Sequence, residues 1–161
     1  KNRRPHDHNR DYAGEPIYPT VAAVKRLLPS WSGGKLKIAL DLHCPSIRGA
    51  GHEVIQFIGG PETDFWQRAT RLARLLEART ATGPLTYRSQ DNLPFGTAWN
   101  TAQNGLGRSS ASWARTIPGV EVATTIELPY ATANGREVNA DSARAFGRSL
   151  AAAVRDYLTS Q

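Results

Sequence analysis

From Leu36 to Pro45 the chain reads Leu-Lys-Ile-Ala-Leu-Asp-Leu-His-Cys-Pro. Leu36, Ile38, Leu40 and Leu42 alternate with Lys35, Lys37, Ala39 and Asp41, the two-residue period of a strand with one strongly apolar face. Pro45 lacks a backbone donor and ends the pairing. The pattern predicts a buried, central strand with His43 at its carboxyl end, where open α/β sheets place their ligands.

The remaining segments alternate in kind around this strand. Residues 1 to 16 read as a charged loop broken by Pro5, Gly14 and Pro16. Val21, Val24, Leu27 and Leu28 then recur at helical spacing, and the helix is expected to close at Pro29 before a Ser32-Gly33-Gly34 turn. After His43 comes a glycine-bearing loop at 46 to 51, then a second strand at 53 to 58, stopped by Gly59-Gly60-Pro61. Thr63 is the expected N-cap of a helix whose stripe is Phe65, Trp66, Ala69, Leu72, Ala73, Leu75 and Leu76. Residues 82 to 108 read as a long ordered loop with room for a short strand at 85 to 88. A short helix at 109 to 115 surrounds Trp113, and a third, β-branched strand at 120 to 128 ends at Pro129. Asn139 or Asp141 caps a last helix with the stripe Ala143, Phe146, Leu150, Val154 and Leu158. Strands alternating with helices predict an α/β sheet covered on its faces.

Composition changes this picture little. The 161 residues suffice for one domain with a core, and 40% apolar with 21% charged residues are ordinary globular values. No run approaches the ~20 apolar residues of a membrane span, so no membrane association is expected. The single cysteine, Cys44, excludes an internal disulfide. The net charge of +6 invites a nucleic-acid reading, but the arginines are scattered and form no block beyond Arg3-Arg4. No nucleic-acid partner is expected, and the charge reads as solvated surface.

Candidate chemistry gathers at loop starts and strand ends: Asp7-His8-Asn9-Arg10, His43 and Glu127. Singly, each has an ordinary explanation. A strand-end histidine is commonly structural, and a glutamate late in a strand commonly faces solvent at the sheet rim. An Asn-Arg pair in a loop is commonly turn chemistry with a surface ion pair. His6 and His8 have the spacing of same-face ligands on an extended segment but lack a third partner nearby. They read as loop histidines, as does His52 beside Glu53.

Taken together and in this order, the segments resemble the zinc metallocarboxypeptidases, the carboxypeptidase A-like peptidases. Asp7-His8-Asn9-Arg10-Asp11-Tyr12 is similar to that family's Asp-x-Asn-Arg-Asn/Asp-aromatic motif, and Asp41-Leu42-His43 to its Asp-Leu/Ile-His segment. Ser109-Ser110-Ala111-Ser112-Trp113 resembles its small-residue-plus-Trp segment, and Thr124-Thr125-Ile126-Glu127-Leu128 the strand of its catalytic glutamate. The resemblance implies a mixed, largely parallel β-sheet with helices on both faces. It implies His43 as a neutral imidazole ligand to one Zn²⁺ ion, and Glu127 as the general base for zinc-bound water and proton donor to the leaving amine. Asn9 and Arg10 would bind the free C-terminal carboxylate of a peptide. Asp7 would accept a hydrogen bond from a zinc-ligand histidine and fix its tautomer.

Two departures shape the expectation. The family's His-x-x-Glu motif, which supplies two zinc ligands before the Asn-Arg segment, does not occur in this chain. Residues 1 to 161 are therefore expected to be a single catalytic domain that lacks its N-terminal part, with that segment as partner and the remaining zinc ligands upstream of residue 1. The family's substrate-capping tyrosine is also missing from the loop at 96 to 107, which carries Trp99. The alternatives are a zinc amidohydrolase acting on N-acyl amino acids, a non-catalytic module that binds carboxylates, and an unrelated basic α/β domain. An extracellular or periplasmic home is the expected location, by analogy with bacterial relatives.

Overall fold

A computed structural model describes residues 3–47, 51–102 and 107–160. In chain order the elements are α1 (Pro19–Ser32), β1 (Ile38–His43), β2 (Gln56–Ile58), α2 (Thr63–Thr80), α3 (Ser110–Ala114), β3 (Val122–Glu127), β4 (Thr132–Ala133), β5 (Arg136–Glu137) and α4 (Ala140–Thr159). The fold is α/β. The main sheet has the order β1-β3-β2 and is mixed, with β1 parallel and β2 antiparallel to β3.

The centre of the sheet is β3 rather than β1. Its uninterrupted Val-Ala-Thr-Thr-Ile-Glu can be covered on both faces, and all but Thr125 are buried. β1 lies at an edge, where its side chains are half-buried and Leu42 is exposed. Alternation alone shows which residues share a face; it does not tell a middle strand from an edge strand. Register then divides the sheet. Ile38, Leu40, Val122, Ile126 and Phe57 meet α2 and α4, forming the larger core with Leu72, Leu76, Phe146, Leu150 and Tyr157. Ala39 and Ala123 turn the other way, into a smaller cluster with Ala114, Ile117, Val120, Trp113 and Leu28 of α1. Helices thus cover both faces.

Several boundaries differ from expectation. Helix α1 runs through Pro29 to Ser32 and ends at Gly33, whose φ of +53° gives the left-handed cap. Its Val24, Leu27 and Trp31 are exposed. The second strand keeps only three residues, although Ile55 just before it is fully buried. Helix α2 begins at Thr63, which is its first residue rather than its cap. Asn139 caps α4 in a capping box with Ser142. The buried stripe of α4 is Ser142, Phe146, Leu150, Ala153 and Tyr157, rotated from the expected one, so that Ala143 and Leu158 face solvent. At 85 to 88 there is no strand; Leu85 and Tyr87 are instead buried anchors of the loop. The expected loops at 46–51 and 82–108 lie partly outside the described residues. An unforeseen hairpin joins β4 to β5 through Asn134 and Gly135, both at positive φ, the Asn-Gly signature of a tight two-residue turn. No helix among the described residues is long and apolar enough to cross a membrane.

Ile126 sits fully buried at the middle of this packing. Ile126→Ala is expected to lower the unfolding free energy by roughly 2–5 kcal/mol. Loss of the α4 cap in Asn139→Ala should cost about 1 kcal/mol. Denaturant titrations followed by circular dichroism would read both, with Ile126→Ala clearly the larger loss.

Candidate functional site

The site is assembled on the face of the sheet opposite the larger core. Asp41 pairs in register with Thr125, and His43 with Glu127, so their side chains project beside Ala39 and Ala123 at the carboxyl ends of the two parallel strands. The motif loop is folded over them by Asp11. This carboxylate is 1% exposed and accepts hydrogen bonds from His6 Nε2 at 2.7 Å and from the backbone N–H groups of Ile17 and Tyr18 at 3.1 and 2.9 Å. Tyr18 stacks on His8 at 4.0 Å, and Tyr12 lies 5.5 Å from Trp113. His6 and His8 are therefore occupied within the loop, as expected of loop histidines.

Within this frame His8–Arg10 makes one 3₁₀ turn. The Asn9 amide N–H donates to Asp41 Oδ2 at 2.9 Å, while its carbonyl oxygen accepts the N–H of Ser110, the first residue of α3, also at 2.9 Å. Thr125 Oγ1 donates to the same Asp41 oxygen at 3.2 Å, and His43 Nδ1 lies 3.8 Å from Oδ1. Burial pushes the Asp41 carboxyl up. The facing His43 imidazole and the bonds from Thr125 and Asn9 outweigh that and hold it below the usual carboxylate range. At 3.8 Å the His43 contribution is electrostatic rather than a hydrogen bond.

A cavity of about 100 Å³ opens beside this network. Its wall includes Asn9 and Arg10 from the loop, His43, Thr125 and Glu127 from the strand ends, and Ser109, Ala111 and Ser112 from the α3 segment. Gly59, Gly60, Trp99 and Arg115 complete it. Four of the residues singled out in the sequence, Asn9, Arg10, His43 and Glu127, thus meet at one cavity. Arg10 is half-buried and, among the described residues, forms no ion pair; the one hydrogen bond of its guanidinium there is long, 3.4 Å, to the Asn9 carbonyl. Glu127 is 8% exposed, not the rim-exposed glutamate of the ordinary explanation. Among the described residues one Asn9 amide N–H has no partner beyond its two structural bonds, so Asn9 positions Arg10 as much as it offers itself to a ligand. Asp7 does not line the cavity. Its Oδ1 is buried and, among the described residues, has no hydrogen-bond partner.

Sequence reasoning missed Arg115, which had counted among the solvated arginines but whose side chain is only 9% exposed. It also missed Thr125 as a partner of Asp41, and Asn100, whose buried amide fastens the following loop to the Gly59 and Leu93 carbonyls. The Gly59-Gly60 pair was the available signal, since adjacent glycines after a strand mark a close backbone approach. A Cβ on Gly59 would stand 2.9 Å from the Phe95 nitrogen. Among the described residues no group of three or more His, Cys, Asp or Glu side chains is placed to hold a metal ion.

Acid stability tests the loop. Burial pushes the Asp11 carboxyl up, but its bonds from His6, Tyr18 and Ile17 win and hold it low. A lowered folded pKa gives stability that is complete above the ordinary carboxylate value of about 3.9 and is lost as pH falls towards the folded value. Asp41 acts in the same direction, as does Asp156, held down by Arg79. Thermal melts should therefore show wild-type Tm falling below about pH 4. Asp11→Asn should have a lower Tm at neutral pH and a shallower acid decline; equal declines would remove Asp11 from this account.

No protein-family model matches this chain, and no curated protein shows significant similarity to it.

Proposed function

We propose that the cavity binds the free carboxylate of a peptide or N-acyl amino acid and presents its amide bond to Glu127, as part of a hydrolase of the zinc carboxypeptidase type. The observation that carries the reading is the convergence of Asn9, Arg10, His43 and Glu127, from three segments far apart in the chain, on one cavity. The Arg10 guanidinium is a fork of donors matched to a carboxylate, and no described carboxylate pairs with it. Asn9, fixed between Asp41 and α3, holds the backbone from which Arg10 extends. Glu127, buried at the strand end, is the group that takes a proton from attacking water and returns it to the leaving amine. The reading carries with it the larger, largely parallel sheet of that family.

Zinc belongs to this reading only with help from elsewhere. A catalytic zinc takes three protein ligands and an open position. The described residues offer the His43 imidazole and no set of three donors, so by themselves they do not fit the ion. On this reading the other ligands come from a segment preceding residue 1. The partnerless Asp7 oxygen supports that, being a buried acceptor suited to an imidazole N–H that the described residues do not supply. The second reading, a carboxylate-binding module without catalysis, draws on the same Arg10 site and the same missing donor set.

Three measurements separate the readings. Elemental analysis of the full-length gene product beside residues 1 to 161 should find zinc in the former alone; zinc in neither selects the binding module. In the full-length product Glu127→Gln should reduce kcat by roughly 10²–10⁴-fold with fold and zinc intact, and unchanged turnover would remove the general-base role. Arg10→Ala should raise KM about tenfold or more for substrates with a free C-terminus and hardly at all for amidated ones. Equal effects on the two would dismiss the carboxylate clamp.

A further inference from the structure

The cavity contains a second cation with donors to spare. Arg115 directly follows α3, and its guanidinium occupies the space that a side chain on Gly60 would fill: a Cβ there would overlap Nη1, Cζ and Nη2. Nε donates to the Ala123 carbonyl at 3.3 Å, and Nη1 lies 3.1 Å from Glu62 Oε2. The Glu62 side chain is half exposed, so water weakens that pair. A guanidinium carries five N–H donors, and among the described residues Nη2 donates to none. Burial to this depth strips the cation of water, which a carboxylate bound through two parallel N–H groups replaces. Against Arg10 and Arg115 the described wall of the cavity sets one carboxylate, Glu127.

We propose that Arg115 is a specificity-determining residue that binds a second carboxylate. The cavity then takes ligands with an acidic side chain beside the terminal carboxylate: a C-terminal Glu or Asp, or the corresponding N-acyl amino acid. This rests on the reading above, in which Arg10 holds the terminal carboxylate. Arg115 adds the choice of residue.

Isothermal titration of the chain with N-acetylglutamate and N-acetylalanine at fixed ionic strength tests it. Wild type should bind N-acetylglutamate about tenfold tighter or more, and Arg115→Met should abolish that preference, weakening N-acetylglutamate far more than N-acetylalanine. Equal affinities in wild type, or a preference that survives Arg115→Met, overturn the Arg115 assignment and leave Arg10 untouched. N-acetylalanine binding that is absent, or that Arg10→Ala leaves unchanged, overturns the carboxylate reading and this inference with it. Should Arg115→Met not fold by circular dichroism, Glu62→Gln carries the test. Removing the competing carboxylate should widen the preference for N-acetylglutamate, and an unchanged ratio overturns the proposal.

Discussion

The hydrogen bond from Asn9 to Asp41 holds the site together. Asp41 is a half-buried charge on an edge strand, and such a charge is tolerable only when donors surround it. Thr125 supplies one donor from the neighbouring strand, and Asn9 supplies the other from a loop with no regular pairing of its own. That satisfied carboxylate fixes where the loop sits above the strand ends. The opposite end of the same Asn9 amide fixes α3 through Ser110. One side chain thus sets the distance between sheet, loop and helix, and the cavity is the space left among them.

Electrostatically the cavity has two unlike sides. Arg10 is unpaired among the described residues, and Arg115 lies in a notch that exists only because Gly60 has no side chain. Glu127 stands at the strand end. An anion and a polar bond to be attacked can therefore be held at once. The tight approach at Gly59 and the Asn100 clasp keep the loop carrying Trp99 against the same opening.

Much of this was legible in the sequence, and the rest was hidden for identifiable reasons. The α/β alternation, the strand ending in Glu127 and the Asn139 cap follow from periodicity and local chemistry, which depend on neighbours in sequence. The order of strands does not. β1 and β3 both read as apolar, and only tertiary pairing sends β1 to the edge. The α4 stripe was misplaced because Ala153 and Tyr157 had to be weighed against Val154 and Leu158, a rotation of one residue that hydropathy barely registers. His43, Asn9, Arg10 and Glu127 could be singled out by residue type and order. Arg115 could not, since nothing near it in sequence distinguishes a buried arginine from the exposed ones.

The Asn9 amide also bears on how the molecule comes together. Its bond to Asp41 spans 32 residues and its bond to Ser110 spans 101. Closing the longer loop costs about 1 kcal/mol more chain entropy than closing the shorter one. Neither core cluster includes a residue from 3 to 18. The segment carrying Asn9 and Arg10 is therefore fastened by polar contacts and by the Tyr12–Trp113 ring contact, and can peel away while Phe57, Ile126 and Tyr157 stay packed. Amide protons of that segment would exchange by local opening, well before those of β3. A ligand bridging the loop to the strand ends would act as a non-covalent staple, slowing that opening without touching the core.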